Sequence, residues 1–314
     1  MRDLRIVFMG TPDFAVAILE ALVVAKFNIV GVITAADKPA GRGRKVQESA
    51  VKRYALKQKL TILQPTNLKS EEFIDKLQQL NANLHVVVAF RMLPKVVWQL
   101  PKYGTFNLHA SLLPNYRGAA PIHWAIINGE TKTGVTTFFI DEKIDTGHII
   151  LQEEVTINND ETVGQLHNKL MHVGSKLVVE TVFQIQKNTV KTYKQLEIES
   201  KLAPKIYTET CKINWDEPLT TIYNLIRGLN PYPTAWTILV NNNEKIKVKI
   251  YDVAKEIATH HYKVGTIVST KSEIKVAVKK GFLIIKSLQL AGKRKMDAKS
   301  LLNGFTFYKN AILQ

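Results

Sequence analysis

Cysteine is almost absent from this chain of 314 residues, and Cys211 is the only one. A single thiol excludes an intramolecular disulfide framework and a zinc site built from several cysteines, and it is typical of a reducing compartment such as the cytoplasm. Long apolar runs are also missing. The longest, such as residues 84–90, are far too short to cross a bilayer, so we expect no membrane association. We also expect neither a secretory signal nor a transit peptide, because the first residues pass almost directly into a strand-like run.

A glycine-rich dinucleotide fingerprint is missing as well. The sequence Gly10-Thr11-Pro12-Asp13 follows the first strand-like run, but it lacks the three-glycine spacing of a dinucleotide-binding turn. We therefore do not expect a nicotinamide cofactor.

The overall composition is that of a folded, soluble protein. Hydrophobic residues make up 46% of the chain and charged residues 22%, values close to those of ordinary globular proteins. A length of 314 residues exceeds what one hydrophobic core usually organises, so two domains are expected.

Acidic residues are in the minority, 27 against 43 basic ones, which gives a net charge of +16. Residues 1–205 contain 26 basic and 19 acidic residues, whereas residues 206–314 contain 17 and 8, so the shorter stretch has the larger excess. Such an asymmetry favours a polyanionic partner for the C-terminal part. A solvated lysine-rich surface is the alternative.

The first 110 residues alternate short apolar runs with helix-like segments, the pattern of βαβ units that build a parallel sheet. The strands are predicted at residues 4–9, 28–33, 84–89 and 104–109, with helices at 13–24 and 70–80. Asp13 is predicted to cap the first helix. Since open sheets of this kind bind ligands beyond the carboxyl ends of their strands, residues 9–11 and 107–109 are expected on one rim.

The later part of the chain changes character. Residues 161–187 predict a long helix, and the polar stretch that follows predicts a linker. Five short strands are then predicted at residues 236–240, 246–253, 265–269, 273–278 and 282–290, a pattern typical of a small barrel or Greek-key domain. The predicted domains are residues 1–188 and 206–314, joined by a linker at 189–205.

The end of the fourth strand carries two polar side chains. Period two places Asn107 and His109 on one face of that strand. A further strand is predicted at 134–140, and it leads into a carboxylate-rich loop that contains Asp145. An aspartate there could meet the imidazole of His109. By itself, a histidine near a strand end is more often structural. The hypothesis therefore depends on the combination of Asn107, His109 and Asp145.

A second signal follows the second strand, where cations alternate with glycines. Residues 38–53 contain six cations and one acidic residue, Glu48. Glycines allow the backbone to approach a partner closely, and Arg or Lys can pair with phosphates. The alternative is a solvated loop.

An ordered set of motifs runs along the chain: Gly-Thr-Pro-Asp-Phe-Ala at 10–15, Pro-Ala-Gly-Arg-Gly at 39–43, Asn-x-His-x-Ser-Leu-Leu-Pro at 107–114, Tyr-Arg-Gly-Ala-Ala-Pro-Ile at 116–122, Asp-Thr-Gly at 145–147, Arg-Gly-Leu-Asn-Pro-Tyr-Pro at 227–233 and Leu-Gln-Leu-Ala-Gly-Lys-Arg-Lys-Met at 288–296. Together they resemble the methionyl-tRNA formyltransferase family across essentially the whole chain. The resemblance implies a doubly wound, Rossmann-like formyltransferase domain with a mostly parallel sheet, followed by a small OB-like barrel that contacts tRNA.

The resemblance also implies a reaction and its residues. The formyl group of N10-formyltetrahydrofolate would pass to the α-amino group of methionyl initiator tRNA, in the cytoplasm and by a monomer. The implied catalytic residues are Asn107, His109 and Asp145. The implied folate-site residues are Ser111, Leu112, Leu113, Pro114, Phe90 and Met92. The implied acceptor-stem loop comprises Lys38, Gly41, Arg42, Gly43, Arg44 and Lys45. One departure is the segment 89–94, where relatives often have Tyr-Gly and one more residue before Leu-Pro.

The chemistry of formyl transfer gives each of these side chains a role. An amine that attacks the formyl carbon builds negative charge on the formyl oxygen, and Asn107 and a protonated His109 could both donate hydrogen bonds to it. Asp145 would orient the imidazole, favour its cationic form and help to relay the amine's proton. The formyl donor is already activated, so no metal is expected.

Alternatives stay open at this point. Glycinamide ribonucleotide formyltransferase and formyltetrahydrofolate hydrolase share the Asn, His and Asp set but give no reason for a basic C-terminal domain. Sugar-nucleotide formyltransferases share the catalytic half, while the Gly-Arg-Gly loop and the C-terminal charge favour RNA. A catalytically silent tRNA-binding protein would be of another class.

Overall fold

The computed structural model describes residues 1–40, 45–196 and 200–314. They form two compact units. The first comprises Met1–Gly118, Thr133–Val155 and His167–Leu202, and the second comprises Ala119–Lys132, Thr156–Leu166 and Ala203–Gln314. Each unit therefore draws on separated stretches of sequence, whereas the predicted domains divide the chain at single points. The boundaries at residues 188 and 206 stay a prediction.

The described residues contain the following strands and helices. The strands are β1 (Ile6–Gly10), β2 (Ile29–Ile33), β3 (Lys38–Ala40), β4 (Lys45–Gln47), β5 (Ile62–Leu63), β6 (Leu84–Val88), β7 (Thr105–His109), β8 (Arg117–Gly118), β9 (Lys132–Phe139), β10 (Ile149–Thr156), β11 (Leu202–Ala203), β12 (Ala235–Asn241), β13 (Glu244–Ile257), β14 (Ile267–Ser269), β15 (Ile274–Val278), β16 (Gly281–Leu290), β17 (Met296–Asp297) and β18 (Ile312–Leu313). The α-helices are α1 (Asp13–Val24), α2 (Ala50–Lys57), α3 (Glu71–Gln79), α4 (Lys95–Trp98), α5 (Pro121–Ile127), α6 (Val163–Lys187), α7 (Leu219–Gly228) and α8 (Ala298–Leu302).

The first unit is built on a mostly parallel sheet with the strand order β10-β9-β7-β6-β1-β2-β5. β1 pairs in parallel with β2 and β6, and β6 pairs in parallel with β7. β9 runs antiparallel to β7 and extends the sheet on that side. All five residues of β1 and of β6 are buried, as expected for strands covered on both faces. The predicted doubly wound sheet is confirmed.

The N-cap of the first helix lies one residue before the predicted one. α1 covers the predicted range, but Pro12 occupies the N-cap position and no side chain caps the helix. The prediction that Asp13 caps it is wrong, because Asp13 is already the first helical residue. Its carboxylate still lies at the positive end of the helix dipole.

The second unit contains an antiparallel barrel. Its strand order is β14-β15-β16-β13-β12-β18, with β17 paired to β16. The two ends of this order approach each other, because the backbone N–H of Ile267 donates to Ala311 O at 3.0 Å and that of Leu313 donates to Gly265 O at 2.9 Å. The barrel is therefore nearly closed, and the predicted C-terminal barrel is confirmed. Apolar side chains of α7, including Ile222 and Ile226, are buried in its core cluster.

One buried histidine makes the first unit sensitive to acid. His85 lies in the middle of the sheet, only 1% exposed, and its Nδ1 has no hydrogen-bond partner among the described residues. Burial disfavours the imidazolium and lowers the pKa of His85 from 6.5 to about 3. Below pH 6.5 the unfolded chain binds a proton that the folded chain does not, so the folded state loses stability as the pH falls from there towards 3.

We expect His85→Leu to reduce this acid sensitivity. The free energy of unfolding, measured with urea near pH 7 and near pH 5, should fall by about 2 kcal/mol more in the wild type than in the variant over that interval. His172→Leu, at an exposed position of α6, is the control and should keep the wild-type difference. An unchanged pH dependence in His85→Leu would contradict the account.

Candidate active site

Asn107 and His109 lie in β7, at the edge of the first unit where parallel strands end. β7 is flanked by β6 on one side and β9 on the other, and His109 is its last residue. Gly10 ends β1, two strands away, at the same carboxyl edge. The prediction that both segments share one rim of the sheet is confirmed.

The imidazole of His109 is held from two sides. The side chain is 7% exposed, with Nε2 2.8 Å from the carbonyl oxygen of Tyr116 and Nδ1 3.8 Å from Oδ2 of Asp145. A carbonyl oxygen only accepts, so Nε2 must carry hydrogen, and in the neutral ring Nδ1 is then the unprotonated nitrogen. A proton taken up by this ring therefore arrives at Nδ1, beside the Asp145 carboxylate.

Asp145 lies on the turn between β9 and β10. Its φ of +55° is in the left-handed region, which non-glycine residues seldom occupy. The carboxylate oxygen Oδ2 accepts the backbone N–H of Gly118 at 3.0 Å, and the backbone oxygen accepts Nε of Arg117 at 3.0 Å. Both the backbone and the carboxylate of Asp145 are thus fixed, and the carboxylate faces His109.

The turn leaves no room for a side chain at Gly147. A Cβ built there would lie 1.6 Å from the backbone oxygen of Phe139, so the turn closes directly onto the end of β9. Thr146 Oγ1 donates to Asp141 Oδ1 at 2.7 Å across the same turn. The glycine of the Asp-Thr-Gly sequence at 145–147 therefore allows the backbone of the turn to approach the backbone of Phe139 closely.

Asn107 offers an unsatisfied carboxamide. The residue is half-buried, and its Oδ1 is inaccessible to water yet has no hydrogen-bond partner in the part of the chain that the structure describes. A buried polar atom without a partner costs free energy unless something completes it. Asn107 therefore keeps a hydrogen-bonding group that the described residues do not use.

The Ser-Leu-Leu-Pro turn that follows β7 is anchored to neighbouring strands. Ser111 is fully buried, its Oγ donates to Asn115 O at 2.6 Å and its backbone oxygen accepts Oγ1 of Thr136 at 2.6 Å. The backbone oxygen of Leu113 accepts Nε2 of Gln152 at 3.0 Å, and the Leu113–Pro114 peptide bond is cis. Leu112 and Pro114 are half-buried. The turn is thus rigid and next to the catalytic candidates in sequence.

A cavity of about 240 Å³ opens at the carboxyl ends of β1, β2, β5 and β6. It is lined by Thr11, Ala35, Ala36, Lys38, Pro65, Thr66, Phe90 and Arg91. Phe90 and Lys38, predicted for folate and tRNA respectively, therefore line the same cavity. Met92, also predicted for folate, does not line it and is 72% exposed.

The structure describes only part of the glycine-arginine loop at residues 38–45. Gly41, Arg42, Gly43 and Arg44 lie outside the described residues. Lys38 and Lys45 lie on β3 and β4, which pair antiparallel with Ala40 opposite Lys45. Next to them Lys52 Nζ hydrogen-bonds Asp37, which lowers the pKa of that carboxyl group together with a hydrogen bond from Gln64.

The described residues contain no cluster of three or more His, Cys, Asp or Glu side chains that could hold a metal ion. None of the described helices is long and apolar enough to span a membrane.

Sequence reasoning missed the groups that hold the catalytic candidates. They are the Tyr116 carbonyl, Arg117 and Gln195. Tyr116 and Arg117 belong to the motif at 116–122, which could have marked them as site residues. A side-chain motif does not, however, indicate that a backbone oxygen makes the contact. Gln195 lies in a polar stretch without any recognisable pattern.

Known proteins are similar to this chain over its whole length. A family model described as formyl transferase matches residues 4–182, and one described as formyl transferase, C-terminal domain, matches residues 205–306. The methionyl-tRNA formyltransferase of Flavobacterium psychrophilum is 58% identical and covers 100% of both chains. That of Bacteroides fragilis is 53% identical over 96% of this chain and 95% of its own.

Solved structures share the fold at lower identity. The sugar 3N-formyl transferase WlaRD, solved in the presence of dTDP and 5-N-formyl-THF, has a TM-score of 0.65 at 22% identity and covers 94% of this chain and 100% of its own. HypX from Aquifex aeolicus, in complex with tetrahydrofolic acid, has a TM-score of 0.64 at 14% identity and covers 96% of this chain and 47% of its own.

We expect Gly147→Ala to destabilise the first unit severely, by at least about 2 kcal/mol, because the new methyl group collides with backbone that cannot retreat. Gly304→Ala is the matched control, since a Cβ there meets nothing within 4 Å. Urea unfolding of both variants checks the prediction. Equal stability of the two variants would show that the turn is looser than described.

Proposed function

The chain belongs to the methionyl-tRNA formyltransferase family, and we propose on that premise that Asn107, His109 and Asp145 are its catalytic residues. Its activity is formyl transfer to methionyl-tRNA. The donor in this proposal is N10-formyltetrahydrofolate, and the acceptor is the α-amino group of methionine on the initiator tRNA. The proposed setting is the cytoplasm, and the proposed active form is a monomer.

The observation that carries the proposal is the arrangement of His109 between the Tyr116 carbonyl and Asp145. The methionyl amine attacks the formyl carbon, a new C–N bond forms, and the formyl oxygen becomes negatively charged. The bond from the formyl carbon to N10 of the folate then breaks. The amine loses one proton and N10 gains one, so the reaction needs a group that accepts and returns a proton.

His109 is suited to move that proton through Nδ1. Its Nε2 is engaged by the Tyr116 carbonyl, which leaves Nδ1 as the ring atom that gains and loses hydrogen. The carboxylate 3.8 Å away stabilises the imidazolium that forms. In the cationic ring, Nδ1–H can also donate towards the formyl oxygen.

Asn107 is the proposed second donor to the formyl oxygen. Its Nδ2 hydrogens can stabilise the tetrahedral intermediate that forms when the amine attacks the formyl carbon. A fixed donor aimed at developing charge lowers the barrier because it needs no reorganisation during the reaction.

Folate is proposed to bind along the turn Ser111, Leu112, Leu113 and Pro114, with Phe90 and Met92 beside the pterin. The anchoring of the turn through Thr136 and Gln152 supports this assignment, since a rigid backbone edge can offer N–H and C=O groups to a heterocycle. WlaRD and HypX, of the same fold, were solved with a formylated folate present and with tetrahydrofolic acid bound, which supports a reduced folate here.

The tRNA is proposed to contact two separate parts of the chain. Lys38, Gly41, Arg42, Gly43, Arg44 and Lys45 form the proposed acceptor-stem loop. Residues 206–314, with 17 basic against 8 acidic residues, supply mainly sequence-independent affinity for phosphates. Several lysines there lie over aromatic rings, such as Lys247, whose Nζ is 4.0 Å from the Trp236 ring centre.

We expect His109→Asn and Asp145→Asn each to lower turnover by at least about 10²-fold while tRNA binding stays largely intact, as for loss of general acid–base function. Transfer of a radiolabelled formyl group to methionyl initiator tRNA measures the effect. Asn107→Ala should cost about 2.7–4 kcal/mol in the transition state. Near-normal single-turnover rates in the histidine or aspartate variant would remove that residue from the mechanism.

The wild-type assay in the same experiment tests the function itself. Wild-type protein that transfers no formyl group to methionyl-tRNA, while binding it, would instead support a silent tRNA-binding protein.

Initiator and elongator tRNA can both carry methionine, so discrimination must be made in the RNA. We expect Arg42→Leu to lower kcat/KM on initiator tRNA by about 10-fold or more, because a hydrogen bond from a charged group contributes about 1.5–3 kcal/mol. Lys45→Ala is the comparison and should weaken binding uniformly, as for a plain phosphate contact.

An initiator tRNA with an altered first acceptor pair separates recognition from positioning. Equal loss by Arg42→Leu on both tRNAs would make Arg42 a positioning residue.

A further inference from the structure

A glutamine from the segment after α6 reaches the turn that carries Asp145. Gln195 is only 6% exposed, although it lies in a polar stretch that the sequence predicts as a linker. Burying a carboxamide is unfavourable unless its hydrogen-bonding groups are satisfied. The surroundings of Gln195 satisfy all of them.

Each group of the carboxamide has two partners. Nε2 lies 2.9 Å from the backbone oxygen of Asp145 and 2.9 Å from that of Gly147, so its two hydrogens are used. Oε1 accepts Nη2 of Arg117 at 2.5 Å and Nε of Arg117 at 3.2 Å. The single hydrogen on Nε of Arg117 is shared with the backbone oxygen of Asp145, 3.0 Å away, so the three residues form a closed network.

This network acts on a strained piece of backbone. Asp145 has a φ of +55°, and such conformations persist at non-glycine residues only where surrounding contacts determine them. The direction of the Asp145 side chain follows from that backbone. The network therefore holds the backbone from which the carboxylate reaches Nδ1 of His109, while the N–H of Gly118 holds the carboxylate itself.

The segment that carries Gln195 is itself anchored to the first unit. The backbone N–H of Tyr193 donates to Ile149 O at 2.9 Å, and that of Ile149 donates to Tyr193 O at 2.8 Å. This antiparallel bridge at the start of β10 fixes the chain two residues before Gln195. The glutamine is therefore delivered from a defined position.

We propose that Gln195, together with Arg117, is a positioning residue for formyl transfer that acts through Asp145. The proposal rests on the proposed function of Asp145. Gln195 touches no reacting atom. Its contribution is to hold the Asp145 carboxylate where it meets His109.

The first test replaces the N–H donors of the Gln195 side chain and keeps the size of that side chain. Gln195→Glu exchanges the two N–H donors for an oxygen that repels the carbonyls of Asp145 and Gly147. We expect kcat for formyl transfer to methionyl-tRNA to fall by at least about 10-fold, as for a small displacement of a catalytic group, with KM for folate and tRNA within about 2-fold of the wild type. Gln79→Glu, at an exposed position of α3, makes the same change of charge and should leave kcat unchanged.

The second test asks whether the effect passes through Asp145. In an Asp145→Asn background, single-turnover rates should be the same within about 2-fold with Gln195 or with Glu at position 195, because residues that act as a unit are not additive. A further 10-fold loss in the double variant would show an independent effect and overturn the proposal. An unchanged kcat in the single variant would do the same.

Gln195→Met, which removes the hydrogen bonds without adding charge, guards against misfolding of the glutamate variant. It should reproduce the fall in kcat with the cooperative urea transition retained. Loss of the fold in both variants would make Gln195 purely structural and overturn the proposal. An inactive wild type would refute the proposed function and this inference with it, whereas an active wild type with unaffected variants would refute this inference alone.

Discussion

The hydrogen bond between Nε2 of His109 and the carbonyl oxygen of Tyr116 is the interaction on which the candidate site depends. It fixes which ring nitrogen carries hydrogen in the neutral state, and it aims the other nitrogen at Asp145. The strand β7 supplies the first half of this geometry, because it ends at His109 in the buried interior of a seven-stranded sheet. The chain that returns after the Ser-Leu-Leu-Pro turn supplies the second half, by bringing a backbone oxygen to the ring. A histidine so held exchanges its proton at Nδ1, and the proposed transfer between two amines needs a group that accepts and returns a proton.

The position of Asp145 requires an unfavourable backbone conformation, which hydrogen bonds from the surrounding structure stabilise. The turn places a non-glycine residue in the left-handed region and brings Gly147 against the backbone of Phe139. β9 runs antiparallel to β7 and ends opposite Phe106, near the start of β7, and the turn that follows brings Asp145 to His109. Hydrogen bonds from Gly118, Arg117 and Gln195 then fix the backbone and the carboxylate. The site thus combines residues that are distant in sequence, since these three residues lie 27, 28 and 50 positions from Asp145.

The sequence was informative wherever the pattern is local. Apolar runs predicted β1, β2, β6 and β7 within a residue or two, and α1 matched its predicted range. The motif at 107–114 and the Asp-Thr-Gly sequence led to candidates that the structure brings together in His109 and Asp145. The assignment of their roles stays a prediction. Long-range packing was not predictable: α5 belongs to the second unit with α7, and Gln195 contacts a turn 50 residues away through a carboxamide that no pattern distinguishes. The error at Asp13 has a local cause, since Pro12 takes the N-cap position itself.

The protonation pattern of the His109 ring tests the central claim most directly. Long-range ¹H–¹⁵N correlation spectra of protein labelled with ¹⁵N-histidine distinguish the two neutral tautomers of each ring, and loss of one signal set in His109→Gln assigns the residue. At a pH where imidazole rings are neutral, the account predicts that His109 carries its hydrogen on Nε2, with Nδ1 unprotonated. A spectrum in which His109 carries its hydrogen on Nδ1 would contradict it, because the ring could then not donate to the Tyr116 carbonyl, and the atom facing Asp145 would not be free to take up a proton.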